Sequence, residues 1–74
     1  MEHERITANP AVMAGKPVIR GTRITVELIL RMLGAGYSVE GLLEEYPHLT
    51  REDVLAAQTF AADYLSHEVI LAAE

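Results

Sequence analysis

The sequence predicts a mainly α fold: a three-helix helix-turn-helix core, homeodomain-like or winged-helix-like, preceded by a short N-terminal β element. Three observations predict it. Three apolar-periodic segments follow one another from Thr25, each behind a Ser or Thr cap and separated by short turns. Val18-Ile19 and Thr22 to Thr25 concentrate β-branched residues ahead of them. A 74-residue chain without cysteine also has material for a single core only, so residues 1–74 read as one domain, extended over about 1–24 and helical over 25–74.

In the N-terminal third, Asn9-Pro10 and Gly15-Lys16-Pro17 are turn signals. Short strands are expected at Val18-Ile19 and Thr22–Thr25, broken or bulged at Gly21, with a pairing edge at Ile6-Thr7 of the same chain or of a second protomer. Thr25 caps a first helix whose Val26, Ile29, Leu30 and Leu33 share a face, and Gly34-Ala35-Gly36 stops it. Ser38 caps a short second helix with Val39, Leu42, Leu43 and Tyr46 on one side and Tyr37 as a staple onto Leu42. Pro47 ends it by pushing Tyr46 out of the helical region.

The third helix opens with a capping box, Thr50 answered by Asp53, with Leu49 stapled to Val54. Its apolar stripe is Val54, Ala57, Ala61, Tyr64 and Leu65, and the pattern runs to about Ala72.

Charge is unevenly placed in this acidic chain of net charge -5. Residues 1–37 hold five cations against three acids, and residues 38–74 hold Arg51 alone against eight acids. Such a chain is unsuited to indiscriminate polyanion binding, yet a local basic face can still hold phosphate. No apolar run approaches a membrane span, and a soluble, cytoplasmic protein without membrane partner is expected. Its small core favours association, most simply a homodimer.

Lys16, Arg20 and Arg23 lie on extended or turn backbone among glycines, where arginine forks suit phosphate; Arg51 and Gln58 are the third helix's candidates for DNA contact. The competing reading pairs Arg20 and Arg23 with acids of the C-terminal half. Glu52 and Asp53 beside Arg51 serve a cap and helix dipole better than they serve a DNA backbone. Tyr64, Leu65, Val69, Ile70 and Leu71 form an apolar C-terminal run that needs burial by the domain, a second copy or another protein. Catalysis finds no support: His3, His48 and His67 have no metal-ligand spacing, no serine sits in a nucleophile elbow, and neither a metal nor a cofactor is implied.

The blocks Ile6-Thr7-Ala8-Asn9-Pro10, Gly15 to Ile24 (GKPVIRGTRI), Gly36-Tyr37-Ser38 and Glu45 to Thr50 (EYPHLT) resemble the domain-of-unknown-function family 433, from about Arg5 to Leu65. The resemblance implies a VapB-like antitoxin with a helix-turn-helix core. Such proteins are often encoded beside a PIN-like ribonuclease toxin, which they are thought to neutralise while regulating their own operon. The better-known VapB antitoxins insert a C-terminal arginine into the toxin's metal site, whereas no Lys or Arg follows Arg51 here, so inhibition is expected to be steric. The alternative expectation is a protein-only adaptor or dimerisation module of helix-turn-helix shape without nucleic-acid function.

Overall fold

The computed structural model describes residues 3–68. Two short strands, β1 (Ile6–Thr7) and β2 (Val18–Ile19), precede three helices, α1 (Val26–Gly34), α2 (Val39–Glu45) and α3 (Arg51–Glu68). The strands pair antiparallel within the chain, with Ile6 opposite Ile19 and Thr7 opposite Val18. Residues beyond Glu68, including the expected extension of α3 to Ala72, lie outside the described residues.

Local chemistry sets the helix ends where the sequence signals them. Thr25 Oγ1 accepts from the Leu28 N–H at 2.9 Å, and Ser38 Oγ accepts from the Gly41 N–H at 3.0 Å. At the end of α1 the Tyr37 N–H donates to the Met32 carbonyl and the Gly36 N–H to that of Leu33, a Schellman closure that Gly36 permits with φ +106°. Tyr46 leaves the helix at φ -128°, ψ 86°, ahead of Pro47. The Thr50–Asp53 capping box is complete: each backbone N–H donates to the other's side chain at 3.1 Å.

The expected strand at Thr22–Thr25 is instead a turn with a single bridge, Val18 to Thr25. Gly21, at φ +81°, reverses the chain. Thr22 Oγ1 then donates to the Ile19 carbonyl and accepts the Ile24 N–H, so a side chain takes bonds that a ladder would have used.

Ile6 and Ile19 from the sheet pack with Val26 and Ile29 of α1, Leu42 of α2, Leu49 before α3, and Val54 and Ala57 of α3. Burial of each larger member contributes about 1.5–3 kcal/mol. Leu49 and Val54 are both buried, as a staple requires; Tyr37 instead stays largely exposed beside Gly41. The core ends before α3 does. Tyr64 is 57% and Leu65 52% exposed, which corrects the expectation that they continue the buried stripe. No helix among the described residues is long and apolar enough to cross a membrane.

Candidate functional site

Two surfaces carry the residues that could act: a groove between α1 and α3, and the basic segment around β2. The groove arises because α3 is longer than the bundle beneath it. Val26 and Leu30 of α1 face Phe60, Ala61, Tyr64 and Leu65 of α3 across an open apolar cleft of about 440 Å³. Lys16, Glu27 and Arg31 stand at its edge, where Glu27 Oε1 accepts from Lys16 Nζ and Glu27 Oε2 from Arg31 Nε at 3.1 and 3.2 Å. Those hydrogen bonds, from Lys16 first and then Arg31, together with the two positive charges, hold the Glu27 carboxyl below its ordinary 4.5.

His3 fixes the segment ahead of β1 to α3 as well. His3 meets Phe60 edge to face with ring centroids 5.1 Å apart, and its Nε2 lies 3.0 Å from Asp63 Oδ2 without the alignment of a hydrogen bond. Phe60 is thereby held between His3 and the groove.

The candidate DNA contacts come apart into engaged and available cations. Lys16 is tied to Glu27, and Arg51 Nη2 donates to Glu40 Oε2 at 2.6 Å, which depresses the Glu40 carboxyl from its ordinary value chiefly through that hydrogen bond. Arg20 Nε donates to the backbone carbonyl of Glu4 at 2.7 Å, a contact that positions the side chain, and no carboxylate pairs with it among the described residues. Arg23 is exposed beside a second hollow of about 430 Å³. Neither arginine forms an ion pair with the C-terminal half among the described residues; the arginine that does pair across the two halves is Arg5, with Asp53. Gln58 is exposed on α3, on the side away from the core.

Tyr64 and Leu65 stand together at the groove, whereas Val69, Ile70 and Leu71 lie outside the described residues. Reading the sequence alone did not single out Phe60, Leu30 and Glu27 as a site. Phe60 is the only phenylalanine of the chain, and its position one turn before Tyr64 was the available signal. Among the described residues, no three His, Asp or Glu side chains gather as a metal site.

Comparison with known proteins gives three findings. The family profile described as "Protein of unknown function (DUF433)" matches residues 6–61. "Uncharacterized protein y4eO" of Sinorhizobium fredii (strain NBRC 101917 / NGR234) is 40% identical over 58 residues, 78% of this chain and 26% of that protein. The crystal structure of a DUF433 member protein from Anabaena variabilis ATCC 29413 is similar with a TM-score of 0.79 and 33% identity, covering 85% of this chain and 62% of that one. The chain thus spans about a quarter of the curated relative and less than two thirds of the solved chain.

Proposed function

The chain belongs to the DUF433 family, and on that premise we propose that it is the antitoxin of a type II toxin–antitoxin pair, a non-enzymatic subunit that covers a PIN-like ribonuclease. One observation carries the proposal: α3 runs past the core and presents Tyr64 and Leu65 over an open apolar groove. An aromatic and an aliphatic side chain in a concave setting are the kind of anchor that a protein partner buries. The sequence resemblance supplies the class of that partner. Val69, Ile70 and Leu71 continue the apolar run in sequence, and the groove with its apolar anchors acts by steric cover.

Operon autoregulation is the second half of the proposal. Arg20 and Arg23 supply its phosphate contacts, while Gln58 and Arg51 face the duplex from α3. The alternative is a protein-only adaptor that binds no nucleic acid. It is favoured by the engagement of Lys16 with Glu27 and of Arg51 with Glu40, and by Glu52 and Asp53, which leave the first turn of α3 without net positive charge.

The deciding experiment is co-expression of the tagged chain with the PIN-like reading frame beside its gene, followed by a high-salt wash and a ribonuclease assay. A stoichiometric, inactive complex supports the antitoxin reading. A nuclease that stays free and active in the presence of excess chain sinks it. For the operator half, the affinity for upstream DNA should fall with salt at a log–log slope of several units.

A further inference from the structure

Arg23, Thr7 and Asn9 meet at the hollow beside β2, and we infer that this hollow is a binding site for an organic phosphate. The stretch Arg5 to Val26 contains four cations and no acid. Arg5 pairs with Asp53 and Lys16 shares Glu27 with Arg31, so among the described residues the cations of the stretch that have no ion pair are Arg20 and Arg23. Of these, Arg23 lines the hollow.

Of the four polar side chains around it, Thr22 spends its hydroxyl proton on the Ile19 carbonyl, and the other three can donate to a ligand. Asn9 Oδ1 is occupied by the Ala11 N–H at 2.9 Å, which fixes the amide and leaves Nδ2 to donate. Thr7 contributes a hydroxyl, and the Arg23 guanidinium offers a fork that matches two phosphate oxygens. Gly21 lines the same hollow with open space where a side chain would stand, so a ligand can approach its backbone closely. Val12 and Val18 supply an apolar wall, and a volume of about 430 Å³ takes more than a bare anion. The ligand is therefore a phosphate ester carrying an apolar or sugar portion, as a sugar phosphate, a nucleotide or a nucleic-acid backbone does.

This surface is separate from the groove between α1 and α3, so it stands or falls independently of toxin cover; through Arg23 it rests on the same residue as the operator half of the proposed function, which a duplex-only outcome would support and a small-phosphate outcome would not. The test is an amide chemical-shift titration of the whole chain at constant ionic strength with three probes: ribose 5-phosphate, adenosine monophosphate and a short DNA duplex. Saturable shifts centred on Thr7, Gly21, Thr22 and Arg23 are expected for at least one probe. Saturation by the small phosphates identifies a metabolite source, and saturation by the duplex alone a phosphodiester source. R23A should weaken the effective probe by roughly tenfold or more, and T7V should weaken it less, with both spectra otherwise unchanged. Shifts that are absent for all three probes, or that fall equally on Lys16, Arg31 and Arg51, overturn the site.

Discussion

The Arg5 guanidinium donates to Oδ1 of Asp53 at 3.1 Å, while Oδ2 of the same carboxylate accepts the Thr50 N–H. One buried side chain thus closes the capping box of α3 and ties the residue before β1 to that helix. The sheet is held to the bundle through a group whose sequence context announces only a cap.

Replacing Asp53 by alanine should cost about 1–3 kcal/mol, the sum of a lost cap and a partly exposed ion pair. Asp53→Asn, which keeps an acceptor for Thr50, should cost less. Urea unfolding of both variants checks this, and equal losses would mean that the charge, rather than the cap, matters.

Ile29 and Leu42 have no exposed surface. Ile29→Ala or Leu42→Ala should therefore lose about 2–5 kcal/mol, and Ile29→Val only about 0.5–1.5 kcal/mol. For a single small domain with stability of roughly 5–15 kcal/mol, the larger loss should leave a visible unfolded fraction by circular dichroism. A native-like thermal midpoint in both alanine variants would contradict this core.

Glu27 makes stability fall with acid in a definable window. Its folded carboxyl titrates below its ordinary 4.5, so its stabilisation is fully present above the unfolded value and is lost as pH falls through the folded one. As pH falls through and below the ordinary 4.5, the urea midpoint of the native chain should drop more steeply than that of Glu27→Gln. Parallel profiles would show that the Lys16 and Arg31 contacts do not persist in solution.

Met13 and Ala14 occupy the left-handed region at φ 49° and 58°, just before Gly15 at φ 83°. A left-handed conformation costs a residue with a Cβ roughly 1–2 kcal/mol, against a glycine entropy penalty of about 0.4–1 kcal/mol. Ala14→Gly should accordingly be neutral or stabilising by up to about 1.5 kcal/mol. A clear drop in the thermal midpoint would argue that the Ala14 methyl makes a contact worth more than the strain.

Leu65→Glu should leave the unfolding free energy within about 0.5 kcal/mol of the native value, because the side chain lies outside the core. The same change should abolish capture of the PIN-like protein. Sedimentation of the native chain alone addresses the rival occupant: a dimer that Leu65→Glu converts to monomer would place a second copy on the groove.

The helices were legible because their signals are local. Thr25, Ser38 and the Thr50–Asp53 pair each act within one turn, and Gly36 and Pro47 act through the backbone of their own neighbourhood. The turn at Thr22 was not legible. A β-branched residue reads as strand by propensity, and only the reversal at Gly21 brings its hydroxyl onto the Ile19 carbonyl.

The site divides along the same line. By itself, the sequence determined the order of three helices, both ends of α1 and α2 and the start of α3, the pairing edge of Ile6 and Thr7 as one of two options, and the gathering of cations around Gly21. Tertiary structure decided which cations remain available, because neutralising Lys16 depends on where α1 places Glu27, eleven residues away. It also decided that Phe60 is held while Tyr64 and Leu65 are left open. A 3.6-residue repeat continues unchanged along a helix whether or not a core lies beneath it, so periodicity cannot report where the bundle ends and α3 alone goes on.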